Sequence, residues 1–195
     1  MATPTEIRAA ALARGLAIKR NNALAAILFG GSLALLAAEV FPFQPIRASI
    51  GLLTGLLYAN AFEYLFHRFL LHAPRGYLAQ QHSRHHSTWG APDEARYVNF
   101  AGTPWAVVLL FAVNALPFFA AEWVLRLGMA PGVLASFAVY FVAFEEIHRR
   151  IHRGGWLPSW LRFGQRHHLA HHADARGRLN VFLPVFDWLL GYKGK

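Results

Sequence analysis

Apolar residues are gathered into four long blocks along the chain, and polar residues fill the segments around them. The blocks cover about residues 23–41, 46–66, 105–125 and 131–148. Each approaches the roughly 20 apolar residues that a helix needs to cross a bilayer. The pattern therefore predicts an all-α integral membrane protein whose four spans form a transmembrane helix bundle.

Short turns connect the blocks in pairs. The segment 41–45 contains two prolines, each of which fixes its own backbone angle and disfavours helix just before it. The segment 128–132 contains two glycines and a proline and predicts the second turn. The first block with its basic flank could also be a signal peptide, but its apolar run is longer than a usual signal core and no clear cleavage site follows.

The polar segments complete the predicted domain organisation. Residues 1–22 form a basic N-terminal arm whose apolar periodicity predicts an interfacial helix against lipid headgroups. Residues 67–103 and 149–195 are polar and rich in turns, and we expect them to form a cytoplasmic helical cap. Residues 23–195 are thus predicted to be a single membrane domain that follows the arm.

Charge orients the predicted spans. The chain is 55% hydrophobic and carries a net charge of +9, and all but Arg47 and Arg126 of its 19 Lys and Arg residues lie in the arm or the predicted cap. The positive-inside rule then predicts a multi-pass protein with both termini and the cap on the cytoplasmic side. Because the basic residues flank apolar spans and form no compact basic domain, we expect no nucleic-acid partner.

Candidate chemistry is concentrated in two histidine-rich stretches, which contain all eleven histidines of the chain. Neutral imidazole is a common metal ligand, and residues three or four apart share one face of a helix. His82, His85 and His86 are expected to converge, as are His148 with His152, and His168 with His171 and His172. His67 and His72 are five apart, so either the helix loosens there or the two serve different metals. The predicted metal ligands are His67, His72, His82, His85, His86, His148, His152, His168, His171 and His172.

Ten histidines suit two metal ions with four or five imidazoles each. The chain has no cysteine, so thiolate ligands are excluded. Glu63 and Glu145 lie one helical turn before His67 and His148, where a carboxylate typically holds the second ring nitrogen of a ligating histidine. A simpler explanation is that histidines are merely tolerated at a membrane interface, but that gives no reason for one spacing to occur twice.

The ordered motifs resemble those of the membrane-bound fatty acid hydroxylase and sterol desaturase superfamily. The match is closest to the fatty acid 2-hydroxylase branch, on Glu63-Tyr64-x-x-His67-Arg68-Phe69-Leu70-x-His72, on Pro92-Asp93-x-x-Arg96-x-Val98 and on Pro184-x-x-Asp187-x-x-x-Gly191. This chain has His152-Arg153-Gly154 where the family often has His-His-Gly, and its His167 is an extra histidine that we do not expect to be a ligand.

The resemblance implies a non-haem diiron oxygenase that uses O2 to hydroxylate a C–H bond of a fatty acyl lipid. It implies two Fe ions, which zinc could replace in purified protein, and no binding motif for haem, flavin or NAD is seen. The 195 residues leave no room for a fused cytochrome b5-like domain. We therefore expect a separate electron donor, either ferredoxin-like or cytochrome b5-like.

Two alternatives remain open. A carotenoid or sterol-type hydroxylase or desaturase of the same superfamily would carry similar histidine clusters. A membrane metal transporter or metal-binding protein is the alternative from another class. A carrier needs ligands near the bilayer midplane, whereas the histidines here lie at the ends of the predicted spans.

Overall fold

The computed structural model describes residues 2–190, and every regular element in that range is helical. The α-helices in chain order are α1 (Pro4–Ala25), α2 (Gly31–Val40), α3 (Pro45–Phe66), α4 (Tyr77–Ser87), α5 (Pro104–Leu125), α6 (Ala130–Arg153), α7 (Arg162–Ala173) and α8 (Val185–Leu189). Two π-helical segments, Ala26–Gly30 and His67–Leu71, continue α1 and α3. Two short 3-10 turns cover Glu94–Arg96 and Ser159–Leu161. The predicted all-α class is confirmed.

Three helical segments are long and apolar enough to cross a membrane: Pro4–Val40, Pro104–Leu125 and Ala130–Arg153. They contain the first, third and fourth predicted spans. The second predicted span forms α3, which has 22 residues but does not reach the same apolarity, since it includes polar residues such as Thr54, Asn60 and Glu63. A membrane crossing by α3 therefore stays a prediction. The basic arm is helical and runs without a break into the first span.

The chain divides into two compact units. The first, here called the histidine unit, comprises residues 1–20, 60–102 and 144–195. Residues 1 and 191–195 of this unit lie outside the described range. The second, here called the apolar unit, comprises residues 21–59 and 103–143. All eleven histidines belong to the histidine unit. The candidate chemistry is thus confined to one unit.

Within the apolar unit, glycines let α3 pack so closely against the start of α6 that their backbones are in contact. A methyl group at Gly132 would collide with the carbonyl oxygen of Ala48, and one at Gly51 would collide with that of Met129. Close packing through small residues is typical of membrane helices. Many large apolar side chains of this unit are exposed, such as Leu53, which suits a surface that contacts lipid.

A turn does join α5 to α6, but α6 begins at Ala130, so only residues 128 and 129 of the predicted segment 128–132 lie in the turn. A buried acid stabilises this turn. Glu122 is 2% exposed and accepts hydrogen bonds from the backbone N–H groups of Gly128, Met129 and Ala130. Ala130 is the first residue of α6 and the other two directly precede it, where the helix has unpaired donors and favours a negative charge. The contacts explain how a carboxylate is tolerated at the end of an apolar helix.

Within the histidine unit, the N-terminal part of α1 packs against the segments that carry the site. A methyl group at Gly15 would collide with the carbonyl oxygen of Ala95, and Lys19 Nζ lies 2.5 Å from Glu146 Oε2 on α6. The arm therefore has protein contacts on one side. Its predicted position at a lipid interface stays a prediction.

Candidate metal centre

Ten histidines of the histidine unit form two compact clusters, and these are the ten ligands predicted from the sequence. Cluster A contains His67, His72, His82, His86 and His171. Cluster B contains His85, His148, His152, His168 and His172. Within each cluster, every residue offers one ring nitrogen, and these nitrogens lie within 4.8 Å of one another. Each cluster could hold one metal ion.

A π-helical segment brings the first two histidines together. His67 and His72 would point away from each other on a regular α-helix, but the chain forms a π-helix over His67–Leu71. The backbone N–H of His72 donates to the carbonyl of His67 at 3.1 Å, a bond that spans five residues. The Nε2 atoms of the two rings are then 3.2 Å apart. The helix therefore loosens, and both residues serve the same cluster.

Helix α4 divides its three histidines between the clusters. His82 and His86 are one turn apart and enter cluster A, with their Nε2 atoms 3.0 Å apart. His85 belongs to cluster B, so the expected convergence of all three is wrong. Successive residues of an α-helix are turned by about 100°. His85 and His86 can therefore serve different clusters.

Helix α7 makes the reciprocal division. His168 and His172 enter cluster B, whereas His171 belongs to cluster A, so this predicted convergence is wrong as well. His168 Nε2 lies 2.9 Å from His148 Nε2 and 3.0 Å from His152 Nε2. Each cluster thus takes four ligands from one histidine-rich stretch and its fifth from the other.

The surroundings of seven of the clustered imidazoles disfavour their charged form. Burial, followed by the neighbouring imidazoles, lowers the pKa of His67, His82, His85 and His168 well below its usual value. Burial also lowers the pKa of His86 to about 3, of His171 to about 4 and of His172 to about 2. Neutral imidazole is the form that binds a metal, so these rings are ready to do so near neutral pH.

Unpartnered ring nitrogens provide a further test of the fit to a metal. His85 is 3% exposed, and neither of its ring nitrogens has a hydrogen-bond partner among the described residues. A buried polar atom without a partner costs free energy, and a cation bound at one of the two nitrogens would remove part of that cost. An all-imidazole donor set suits iron, zinc or copper and does not suit magnesium or calcium. The residues present therefore fit a transition metal in each cluster.

Backbone carbonyls orient two rings of cluster A. His67 Nδ1 bonds to the carbonyl of Leu179, and His171 Nδ1 lies 2.6 Å from the carbonyl of Gly177. A carbonyl only accepts, so each Nδ1 carries the proton and each Nε2 keeps its lone pair for the cluster. Both carbonyls belong to the segment that follows α7.

A carboxylate orients one ring of cluster B. His152 Nδ1 lies 2.9 Å from Glu94 Oε1, and Arg153 lies 3.6 Å from the other oxygen of this buried acid. Sequence reasoning missed Glu94. It lies 58 positions from His152, so no helical periodicity connects the two. The only signal was an acidic residue just after the second histidine motif.

The two predicted acids bind connecting segments. Glu63 accepts a hydrogen bond from the backbone N–H of Val181. Glu145 is 1% exposed and accepts from Asn99 Nδ2 at 2.9 Å and from the Phe100 N–H at 2.8 Å. Because Leu179 already holds Nδ1 of His67, Glu63 does not take the predicted place at that ring. Its contact is with the segment that provides the carbonyl.

Asp187 supports the same segment. It is fully buried and accepts from the backbone N–H groups of Leu179 and Asn180. It also bonds to His167 at 2.9 Å, and His167 lies outside both clusters, as expected. Gly191, the last residue of the C-terminal motif, lies outside the described residues.

Comparison with known proteins identifies the family of the chain. The family model for fatty acid hydroxylase matches residues 52–192, a range that includes both clusters together with Glu63, Glu94 and Glu145. Neither a search of curated proteins nor a search of solved structures found a match. The family match covers more than two thirds of the 195 residues. The chain belongs to the fatty acid hydroxylase family.

Proposed function

We propose that the protein is a membrane-bound diiron oxygenase that hydroxylates a C–H bond of a fatty acyl lipid. It would use O2 and two electrons from a separate donor. The observation that carries the proposal is the pair of five-imidazole clusters in a member of the fatty acid hydroxylase family. We infer that the ten clustered histidines are the metal ligands and that zinc could replace iron in purified protein.

Two bound iron ions would supply the oxygen-activating chemistry, and the chain supplies their surroundings. The Leu179 and Gly177 carbonyls fix His67 and His171 in the form whose Nε2 faces cluster A. Glu94 accepts a hydrogen bond from the Nδ1–H of His152, which would make that imidazole a stronger metal ligand. Burial of His85 and His168 keeps water from the inner side of cluster B.

We also propose that α3 is a fourth span and that residues 67–103 and 149–195 lie on the cytoplasmic side of the membrane as a helical cap. The charge distribution supports this, because only Arg47 and Arg126 among the Lys and Arg residues lie at the opposite turns. An acyl chain in the bilayer could then reach the site without entering water. All eleven histidines lie outside the apolar unit, which disfavours a transporter with ligands at the midplane.

The donor and the type of lipid follow from charge and resemblance. The net charge of +9 favours an acidic partner, such as a ferredoxin or a cytochrome b5-like protein. The motif that includes Glu63, Tyr64 and Arg68 resembles the fatty acid 2-hydroxylase branch most closely, so we place the substrate among fatty acyl lipids. Sterols and carotenoids are the alternatives within the superfamily.

The test is an oxygen-incorporation assay with purified protein. Protein produced with iron should contain about two metal ions per chain, and in lipid vesicles with a reduced donor it should incorporate 18O from 18O2 into an acyl chain. His86→Ala and His172→Ala should both abolish incorporation and leave membrane insertion intact. His167→Gln is the matched control, because His167 lies outside both clusters. Full O2-dependent activity in His172→Ala would contradict the proposal.

A further inference from the structure

A cavity of about 380 Å³ adjoins cluster A. Its lining includes His72, a member of that cluster, and two arginines, Arg68 and Arg176. Apolar side chains such as Leu179 and Leu190 form much of the remaining wall. The wall of the cavity thus combines positively charged side chains, apolar side chains and one histidine of cluster A.

The guanidinium of Arg68 contacts aromatic residues and has no carboxylate partner among residues 2–190. Its Nη1 donates to the hydroxyl of Tyr64 at 2.8 Å, and its guanidinium lies 5.3 Å from the centre of the Phe69 ring. Tyr64 is 3% exposed, so its ring gives the guanidinium a fixed neighbour. Within residues 2–190, no carboxylate lies within ion-pair distance of Arg68.

The second arginine of the cavity differs in this respect. Arg176 bonds to both oxygens of Asp174, through Nε at 2.9 Å and through Nη2 at 3.1 Å. Its guanidinium therefore already has a carboxylate partner, in an exposed pair. Guanidinium binds carboxylate and phosphate through two parallel hydrogen bonds. Arg68 is the arginine of this cavity with that capacity left.

The cavity is too small for a whole lipid. Water occupies roughly 30 Å³ per molecule in the liquid, so about a dozen groups of that size would fill the space. That is enough for a headgroup and the first part of a hydrocarbon chain. A ligand with its anion at Arg68 would lay its first carbons along Leu179 and Leu190, beside His72.

We propose that this cavity is a binding site for the anionic headgroup of the lipid substrate, with Arg68 as the specificity-determining residue and Tyr64 as the residue that positions it. The inference rests on the proposed function and names the substrate class as an anionic amphiphile. The anion has two sources, the carboxylate of a free fatty acid or the phosphate of a phospholipid. Both suit the same guanidinium.

Binding to the iron-loaded full chain, without donor, tests the site apart from turnover. In neutral detergent, oleate, a monoalkyl phosphate and an uncharged alcohol of similar chain length are titrated by calorimetry. The wild type should bind one or both anions at least 10-fold more tightly than the alcohol, and Arg68→Gln should lose about 10–100-fold for the anion only. Arg68→Lys should recover part of that loss. Arg75→Gln is the matched control, because this nearby exposed arginine does not line the cavity.

The outcomes separate the two proposals. Preference for oleate identifies a free acid as the ligand, and preference for the alkyl phosphate identifies a phospholipid headgroup. Equal binding of anions and alcohol by the wild type overturns the headgroup site, and so does equal loss for all three in Arg68→Gln and Arg68→Lys. If Arg68→Gln fails to load iron, the headgroup site is tested by the preference of the wild type for anions over the alcohol and by the change of that preference in Arg68→Lys. Intact anion selectivity in a protein that never incorporates oxygen would refute the oxygenase alone.

Discussion

Clusters A and B have the same composition and different surroundings. Three of the five histidines of cluster A are half-buried and only two are fully buried, whereas three are fully buried in cluster B. His72 of cluster A lines the cavity, and His85 of cluster B has no hydrogen-bond partner at either ring nitrogen among the described residues. Cluster A is therefore the more accessible site, and cluster B is the more enclosed one.

The groups that bond to the Nδ1 atoms of the rings also differ between the two clusters. Carbonyls of the segment after α7 hold two rings of cluster A, whereas the carboxylate of Glu94 holds His152 of cluster B. A carboxylate partner raises the basicity of an imidazole more than a neutral carbonyl does. Five imidazoles in each site thus do not make the two sites equivalent, and each prediction below tests one part of this difference.

The largest effect is expected from two pairs of substitutions on α4. His82→Ala with His86→Ala removes two ligands from cluster A and none from cluster B. We expect one tightly held metal to remain and the other to be lost, because three imidazoles fall short of the roughly four that such a metal takes. A chelator titration with elemental analysis should show about one metal per chain with wild-type resistance.

The matched pair combines His82→Ala with His85→Ala. It removes one ligand from each cluster, so both metals should be weakened and neither should keep wild-type resistance to the chelator. The comparison uses the same helix and the same number of substitutions. A metal with wild-type resistance in this second pair would show that His82 and His85 serve one site, and the division of α4 would be wrong.

A smaller effect is expected from Glu94→Gln. The change keeps the shape of the side chain and removes the charge at His152, so the metal affinity of cluster B should fall by roughly 10–100-fold. Competition with a chelator should show one weakened and one unchanged metal. The control is Glu146→Gln, which removes a carboxylate that pairs with Lys19 and Arg150. Equal weakening of both metals by Glu94→Gln would remove the distinction between the clusters.

The smallest effect is expected from Glu63→Gln. Its contact is with the Val181 N–H, and an amide oxygen can still accept that bond. The segment that holds His67 should shift little, so the metal affinity of cluster A should fall by less than the roughly 10-fold lower limit for losing a direct partner of a ligand. Glu63→Leu removes the acceptor and should cost more. Equal affinities for the two variants, in the same chelator assay, would show that Glu63 does not act through Val181.

Local features of this molecule could be predicted from the sequence, and the contacts between distant segments could not. Residue type and spacing single out the ten histidines that cluster, and the apolar blocks predict the all-helical fold. The choice between a loosened helix and two separate metals at His67 and His72 needed the backbone of 67–71, because a spacing of five allows both. The pairing of Glu94 with His152 depends on where the connection after α4 lies relative to α6, which no local pattern specifies.

The exchange of His85 and His171 was beyond prediction for a related reason. Spacing shows that neighbouring histidines on a helix point in different directions. Only the positions of α4 and α7 show that each of these two histidines lies in the other cluster. Sequence reasoning therefore grouped ligands by motif, whereas the structure groups them by space. The second block is predicted to cross the membrane from residue 46 to 66; it forms one helix, but polar residues such as Asn60 and Glu63 within it make it less apolar than the other three.

The reciprocal exchange of His85 and His171 also limits how such a centre can arise or be transplanted. A fragment ending before α5 would keep four ligands of cluster A, lack the fifth and carry His85 with no cluster to join. The complementary fragment has the same defect in reverse. Each half of the chain holds four of the five imidazoles of one cluster, so neither half contains a complete copy of either cluster. A designer who wants either five-imidazole cluster complete must therefore transfer both histidine-rich stretches.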